Sequence, residues 1–467
     1  MSSELFLMGF SSLSHSLGAR HFSFSANNAG FTSVSIDSRN VEQGALFVAL
    51  PGSTDDGHSH VQAAFRAGAA CAMVESSKLE KLNLMDIAKS MGKDLVAVDN
   101  TLRGLQDAAK VYLEQFPKLL KIGITGSSGK TTTKEITAAI IGQEKNTVMN
   151  KGNLNSETGL PLSVFDVRSC HEAGIFEMGM NRKGEIAELA AVLKPNIALV
   201  TNIGCAHIGI LGSKQAIAEE KKNIFSQLAD NDIALIPQDD ACRDFLSEGL
   251  RGKVRFYGEG CFEELEETHS LGLDGSEIRW AGEKIRFTLP GKHSLAGALA
   301  AIAIAREVPV SAGAIKRGLE SVRPLFGRGE ILRGRTTVIR DCYNASPETV
   351  QNSLEFCDSL DWAGRRIYVI ADMLELGESS FSAHERVGTL LVESKADMVF
   401  LFGKETEAAA ALMADKGKPF FHTGVMEELS EAVDHYVQGN DLVLLKGSRG
   451  CALERLSDML TEARGVS

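Results

Sequence analysis

The chain has 467 residues, of which 44% are hydrophobic and 24% charged, and its formal net charge is −12. A chain of this length is too long for one hydrophobic core and indicates two to three domains. The negative charge argues against a nucleic-acid partner, and no stretch has the roughly 18 consecutive apolar residues that a membrane span needs.

The N-terminal ten residues and the cysteines both indicate a cytoplasmic protein. Glu4 precedes a short apolar patch and no lysine or arginine does, which is the wrong charge pattern for a secretory signal. The eight cysteines include no C-x-x-C pair. We therefore expect reduced thiols and no metal bound through sulfur.

Residues 1–116 are predicted to form a small α/β domain. A helical pattern at 101–115 ends before Pro117, where we place the first domain boundary. The β-type runs and the further helix predicted before it are at 34–36, 45–50, 72–74 and 95–98, and at 60–68.

Residues 122–135 have the pattern of a buried strand, a glycine-rich turn and a helix, with Lys130 at the end of the turn. This pattern predicts a loop that binds nucleotide phosphates through backbone N–H groups and Lys130, while Thr131 offers a ligand for Mg²⁺. The loop has the short form G-x-x-G-K-T-T, because Ile124 occupies the position of the first glycine of the longer motif. An ordinary strand-to-helix turn is the alternative. The predicted loop residues are Gly126, Ser127, Ser128, Gly129, Lys130, Thr131 and Thr132.

The rest of 117–323 alternates between strand and helix patterns, which predicts a mostly parallel sheet. Residues 254–290 are rich in glycine and short β-type runs, and we expect them to form an antiparallel appendage. A boundary is placed at 323–324. The predicted strands are 175–178, 197–200 and 233–237, and the predicted helices are 185–193, 215–228 and 295–306.

Residues 324–467 alternate again, which predicts a third α/β domain, Rossmann-like and built on its own parallel sheet. Its predicted strands are 337–340, 366–370, 398–402 and 442–445. The chain is therefore expected to be an α/β protein of three domains.

Polar residues at the carboxyl ends of predicted strands are candidate site residues, because ligands bind there in open α/β sheets. Glu177 and His207 follow two strands of the central domain, and Asp341 and Lys446 follow two strands of the third. Each residue also fits a purely structural role. Glu177 could lie in a solvated turn, and His207 could be a hydrogen-bonded structural histidine. Asp341 could cap the following helix, and Lys446 with Arg449 could form a solvated basic turn.

Lys221 lies in a charged helical segment, where local chemistry alone predicts a surface lysine.

Sequence motifs in all three predicted domains resemble those of the Mur ligases, and the resemblance covers nearly the whole chain. It implies an N-terminal domain that binds a UDP-linked muropeptide, a central P-loop-type ATPase domain and a C-terminal ligase domain. The segments that carry it are 35–39, 44–52 and 56–58, then 126–132, 152–161 and 177–181, then 341–347, 372–377 with His384, and 446–449.

The resemblance also implies the cofactors and roles of individual residues. ATP and two Mg²⁺ ions are expected, with Thr131, Glu177, His207 and a Lys221 carbamate formed from CO₂ as metal ligands. Lys221 is preferred to Lys222 because the family lysine stands three residues before Ile-Phe, here residues 224–225. Nucleotide contacts are expected also from His293, Arg328 and Asp341, and substrate contacts from Ser38, Arg39, Asn155, Thr158, Asn181, Tyr343, Asn344, Lys446 and Arg449.

The segment 343–347, Tyr-Asn-Ala-Ser-Pro, distinguishes among the branches of the family. It is similar to the Tyr-Asn-Ala-Asn-Pro of the branch that adds D-alanyl-D-alanine to UDP-N-acetylmuramoyl-tripeptide. The resemblance thus implies ATP-dependent amide formation through an acyl phosphate. We also expect the protein to be a monomer. The rivals are a ligase for another amino acid, a scaffold that binds nucleotide without catalysis, and a kinase.

The chain departs from the family pattern at the start of the helix predicted after residue 290. Ser294 and Gly297 stand where the family has asparagines that contact the nucleotide base. The resemblance therefore does not identify the residues that contact adenine in this chain.

Overall fold

The computed structural model describes residues 6–25 and 29–462, and within them four larger sheets organise the chain. Residues 6–113 form a five-stranded sheet of order β2-β7-β6-β5-β4, in which only β2 is antiparallel, and a small β1–β3 pair. The elements are β1 (Met8–Gly9), α1 (Phe10–Ser16), β2 (Arg20–Phe22), β3 (Gly30–Phe31), β4 (Val34–Ser35), β5 (Leu46–Val48), α2 (Val61–Ala67), β6 (Cys71–Glu75), α3 (Leu84–Met91), β7 (Asp94–Val98) and α4 (Thr101–Leu113).

The central region is built on a six-stranded, all-parallel sheet of order β13-β12-β11-β8-β10-β9. A three-stranded antiparallel sheet, β14-β15-β16, is attached to it. The elements are β8 (Leu120–Thr125), α5 (Lys130–Ile141), β9 (Thr147–Met149), α6 (Gly159–Val164), β10 (Ala173–Glu177), α7 (Glu185–Leu193), β11 (Ile197–Val200), α8 (Ile208–Leu211), α9 (Lys214–Lys222), β12 (Ile233–Pro237), α10 (Arg243–Ser247), β13 (Lys253–Tyr257), β14 (Leu265–Ser270), β15 (Ser276–Trp280), β16 (Glu283–Phe287), α11 (Lys292–Arg306) and α12 (Ala312–Ser321).

The third region has a sheet of order β17-β18-β22-β19-β20-β21, which is parallel except for the edge strand β17. Its elements are β17 (Glu330–Arg333), β18 (Thr337–Asp341), α13 (Pro347–Ser359), β19 (Arg366–Ala371), α14 (Ser380–Glu393), β20 (Met398–Phe402), α15 (Glu407–Lys416), β21 (Phe420–Thr423), α16 (Met426–Tyr436), β22 (Leu442–Lys446) and α17 (Ser457–Thr461). The expected three-domain α/β fold is confirmed.

Two sequence-based expectations about strands are wrong. Residues 254–257 are not part of the antiparallel appendage but belong to β13, the parallel edge strand of the central sheet. The strand that ends at Asp341, expected to be the first of the third domain, is the second, because β17 precedes it and pairs with it antiparallel.

The N-terminal and central regions share one hydrophobic core, in which the linking helix α4 packs on α6 and α7. Tyr112 of α4 is buried, and its hydroxyl donates a 2.6 Å hydrogen bond to the Val167 carbonyl. No helix in the described part of the chain is long and apolar enough to cross a membrane.

Candidate active site

A cavity of about 920 Å³ lies between the central and third regions, at the carboxyl ends of β8, β10, β18 and β22. Ligands of open α/β sheets bind at this edge. The cavity contains most of the predicted site residues. Those that line it are Ser127, Ser128, Gly129, Lys130, Thr131, Thr132, Asn155, Glu177, Asn181, His207, His293, Arg328, Asp341, Tyr343, Asn344 and Lys446.

The loop between β8 and α5 is held in one shape. Gly126 has a φ of 152°, and a Cβ there would lie 1.8 Å from the Thr201 hydroxyl oxygen, so no other residue fits. Lys130 is the first residue of α5, and its Nζ donates to the Gly126 carbonyl at 2.9 Å. Burial and the nearby Arg328 lower the pKa of Lys130, whereas Glu177 raises it.

A second segment, 201–204, supports the loop from β11. Thr201 donates to the Ser128 carbonyl at 2.6 Å, and Asn202 accepts from the Ser128 backbone N–H at 3.1 Å. The Ser127 hydroxyl oxygen accepts from the Gly204 N–H at 2.8 Å. These contacts hold the loop in a shape suited to bind phosphate before any ligand arrives.

Glu177 ends β10 and is only 2% exposed. Its Oε1 accepts a 2.7 Å hydrogen bond from the Asn155 amide, but its Oε2 has no partner among the described residues. A buried carboxylate oxygen without a partner is costly unless a ligand compensates it. Together with the Thr131 hydroxyl, also on the cavity wall, it offers the hard oxygen ligands that Mg²⁺ prefers.

His207 precedes α8 with a φ of 64° and lines the cavity. Burial, with smaller contributions from Lys130 and Lys221, lowers its pKa to about 4, so the ring is neutral at pH 7. Its Nδ1 lies 3.3 Å from an oxygen of Glu375, but the two groups do not form a hydrogen bond. A neutral imidazole nitrogen is thus available as a ligand.

Lys221 is 1% exposed, so the surface position that local sequence chemistry predicts is wrong. No hydrogen bond or ion pair of its ammonium group is found within the described ranges 6–25 and 29–462. Burial, and then Lys130, holds its pKa well below the usual value, although Glu220 opposes the shift. Lys222, in contrast, donates to the Phe245 carbonyl at 2.6 Å.

Across the cavity, Asp341 and Lys446 form a buried pair at 2.9 Å. Burial alone would raise the pKa of Asp341, but Lys446 and His293 lower it overall. The Lys446 Nζ also donates to the Asn344 carbonyl at 3.0 Å, which fixes the turn after β18. Lys446 is therefore neutralised by Asp341 and is not the free cation of a solvated turn.

Arg328 reaches the cavity from the chain segment before β17. Its guanidinium lies over the Tyr343 ring, 3.9 Å from the centroid. Arg328 lines the same cavity as residues 127–130 of the phosphate loop.

The far end of the cavity is lined by the start of α11 and by β13. Ser294 is 5% exposed there, and a Cβ added to Gly297 would meet no atom closer than 3.6 Å. The two positions that depart from the family pattern thus line the same cavity.

Six predicted site residues do not line the cavity, and the buried Lys221 is one of them. Arg39 is exposed and forms two hydrogen bonds with Asp37, at 2.9 and 2.8 Å. Arg449 pairs with Glu454 at 2.7 Å. The others are Ser38, Thr158 and Gly126. Their predicted roles stay predictions.

His384, part of a motif that carried the resemblance, has a structural role. Its Nε2 accepts from the Met373 N–H at 3.0 Å and its Nδ1 donates to the Ser380 carbonyl at 2.8 Å, so both ring nitrogens are satisfied. Both contacts lie within the third region and hold the turn that follows β19.

Sequence reasoning missed a contact between the central and third regions. Glu348, in the first turn of α13, accepts a 3.2 Å hydrogen bond from the Cys205 N–H. Cys205 directly follows the segment that supports the phosphate loop. No local pattern marks Glu348, because its partner lies 143 residues away.

Three family models match the chain. They describe a Mur ligase family catalytic domain at residues 30–112, a Mur ligase middle domain at 124–305 and a Mur ligase glutamate ligase domain at 327–449. The chain is 44% identical to the UDP-N-acetylmuramoyl-tripeptide–D-alanyl-D-alanine ligase of Treponema pallidum, over 93% of this chain and 95% of the relative. The ligase of the same name from Bacillus subtilis is 32% identical over 92% and 93%.

Solved structures agree with these relatives. A crystal structure of MurF from Acinetobacter baumannii superposes with a TM-score of 0.87 at 26% identity, over 96% of this chain and 98% of the other. MurF ligase from Thermotoga maritima in complex with ADP gives 0.77 at 28% identity, over 92% and 96%. The chain belongs to the Mur ligase family.

Proposed function

We propose that the chain is an ATP-dependent ligase that joins D-alanyl-D-alanine to UDP-N-acetylmuramoyl-tripeptide, giving the pentapeptide precursor of peptidoglycan. The observation that carries the proposal is the single cavity in which Lys130 and Glu177 of the central region face Asp341, Tyr343 and Asn344 of the third. Relatives that carry the name of this activity align with more than nine-tenths of the chain.

The first step is phosphoryl transfer to the tripeptide. An oxygen of its terminal carboxylate attacks the γ-phosphorus of ATP, the bond to the bridging oxygen breaks, and ADP leaves from an acyl phosphate. Lys130 and the backbone N–H groups of the loop hold the β- and γ-phosphates. Arg328 would face the same phosphates, since it and Lys130 line the same cavity. Their cationic charge offsets the repulsion between the carboxylate and the phosphates.

Two Mg²⁺ ions would supply further neutralisation of the phosphate charge when bound. Thr131 and Glu177 would hold one, a role supported by the partnerless Oε2 of Glu177. His207 and Lys221 would hold the other, after the neutral amine of Lys221 adds to CO₂ and releases a proton to give a carbamate. The lowered pKa of Lys221 supports this role, because only an unprotonated amine reacts with CO₂.

The second step is amide formation. The free amine of D-alanyl-D-alanine attacks the acyl carbon, phosphate leaves with the former carboxylate oxygen, and the amine loses a proton. We assign Tyr343, Asn344 and Asn181 to hold the two peptides. Asp341 and His293 would contact ATP, the former while paired with Lys446.

The N-terminal domain would bind the uridine nucleotide through Ser38 and Arg39. We propose domain boundaries of 1–116, 117–323 and 324–467, which the three matched ranges support. We further propose that the protein acts as a monomer in the cytoplasm, without a nucleic-acid partner, consistent with its net charge of −12.

The test is the release of phosphate from ATP and Mg²⁺ in the presence of both UDP-muramoyl-tripeptide and D-alanyl-D-alanine. We expect phosphate and a pentapeptide product in equal amounts, and only background release when either acceptor is omitted. Mass spectrometry of the product checks the stoichiometry. Turnover with a single amino acid in place of the dipeptide would contradict the proposal and indicate another amide ligase.

A further inference from the structure

Behind Glu177 lies a buried side-chain amide that the proposed mechanism does not use. Asn150 directly follows β9 and is 0% exposed. The ladder between β9 and β10 ends with Ile175 opposite Met149, so the Glu177 backbone has no strand partner on that side.

The Asn150 side chain supplies that partner. Its Oδ1 accepts from the Glu177 N–H at 2.9 Å, and its Nδ2 donates to the Glu177 carbonyl at 3.0 Å. The amide thus satisfies both backbone groups of Glu177, as a neighbouring strand would. It continues the sheet by one residue, at the position of the proposed metal ligand.

The same amide also holds the segment 151–155. Its Nδ2 makes a second donation, to the Leu154 carbonyl at 2.8 Å. The next residue is Asn155, which donates to Oε1 of Glu177 at 2.7 Å. Asn150 therefore fixes both the backbone of Glu177 and the segment that orients its carboxylate.

Lys134 holds Asn150 in turn. Lys134 is 0% exposed, and its Nζ donates to the Asn150 backbone carbonyl at 2.7 Å. It lies on α5 one turn after Lys130, so both side chains project from the same face of the helix. One helix thereby connects the phosphate loop with the support of Glu177.

We propose that Asn150 is a positioning residue for Glu177: it fixes this carboxylate so that Oε1 stays on Asn155 and Oε2 is presented to the cation that accompanies the nucleotide. The inference rests on the proposed role of Glu177 as a metal ligand. Partners of this kind orient ligands, and their loss weakens metal binding by about 10- to 100-fold.

The test compares Asn150→Ala and Asn150→Asp with the full-length wild type. Asn150→Asp has nearly the same size as the wild-type side chain. It keeps the acceptor for the Glu177 N–H but loses the two hydrogen bonds that Asn150 donates. Binding of Mn²⁺ in the presence of ADP, followed by electron paramagnetic resonance, reports on the site without turnover. The Mg²⁺ concentration that gives half-maximal activity is the second readout.

Asn196 provides a matched control at the opposite end of the same sheet. Its Oδ1 accepts from the Lys121 N–H at 3.1 Å and its Nδ2 donates to Asp232 at 3.2 Å, so it also ties neighbouring strands together. We expect Asn196→Ala to lower Tm and to leave Mn²⁺ binding unchanged. The Asn150 variants should weaken Mn²⁺ binding by about 10-fold or more.

Wild-type Mn²⁺ affinity in a folded Asn150 variant would overturn the inference and leave Asn150 a purely structural residue. Absence of Mn²⁺ binding in the wild type itself would instead overturn the proposed metal site, and this inference with it. If Asn150→Ala does not fold, Asn150→Asp decides the result.

Discussion

Lys221→Ala should lower kcat by about 10²- to 10³-fold, the usual cost of removing one group that stabilises transition-state charge. The wild-type amine is buried and has no hydrogen-bonding partner among the described residues, and burial holds its pKa well below the usual value, which favours the unprotonated form that reacts with CO₂. An exposed lysine, in contrast, is protonated at pH 7 and does not react with CO₂. Protein equilibrated with ¹³C-bicarbonate should therefore show one carbamate resonance by NMR.

Lys222→Ala is the matched control for this prediction. Lys222 is the next residue of α9, and its Nζ is bound to the Phe245 carbonyl and lies 4.4 Å from the Phe245 ring centroid. We expect this variant to keep the carbamate resonance and most of the activity. The pH dependence has a definite sign: lowering the pH protonates the Lys221 amine, so the resonance should weaken in acid. A carbamate signal that persists in Lys221→Ala would contradict the assignment.

Lys130→Met should lower kcat by about 10³-fold, because its ammonium group is the cation that the loop offers to the transferred phosphate. The fold should survive, since the one side-chain hydrogen bond that Lys130 makes with the described residues is to the Gly126 carbonyl. Phosphate release with both acceptors present measures kcat, and thermal unfolding checks the fold.

Lys121→Met is the matched control, because it also removes a half-buried lysine, from the strand that leads into the phosphate loop. Lys121 lies in β8, before the loop, and burial lowers its pKa as well. We expect this variant to retain wild-type kcat. If Lys130→Met stayed within tenfold of the wild type, the loop would not have the catalytic role proposed for it.

Strong local patterns made much of the fold predictable. The predicted limits of β11, β12, β20 and α7 agree with the structure to the residue, because each is a clear apolar run or helical pattern between turn residues. The phosphate loop was predictable for the same reason: strand, glycine turn and lysine occur together in 14 residues.

The burial of Lys221 could not be predicted from its helix. The segment 214–222 carries five charged residues and reads as solvated. Its inward face is fixed by Glu220, whose two oxygens accept from the N–H groups of Gly184 and Ile186. These N–H groups belong to the N-terminus of α7, and no local pattern of α9 reveals that contact. Only the family resemblance identified Lys221 as a site residue.

The place of β13 was mispredicted for a related reason. Three of its five residues are exposed, so its sequence, Lys-Val-Arg-Phe-Tyr, alternates like a strand with one face in water. Such alternation is typical of antiparallel sheets, but an edge strand of a parallel sheet meets the same solvent. Its parallel pairing with β12 places it in the central sheet, and the sequence of a strand does not reveal which strand it pairs with.

The central claim is that the tripeptide carboxylate becomes an acyl phosphate in the cavity between the central and third domains. It is tested most directly by labelling that carboxylate with ¹⁸O and measuring the mass of the phosphate released during ligation. We predict one ¹⁸O atom per phosphate, because the carboxylate oxygen that attacks ATP leaves with the phosphate when the amine attacks. Unlabelled phosphate, formed together with the pentapeptide, would contradict the claim.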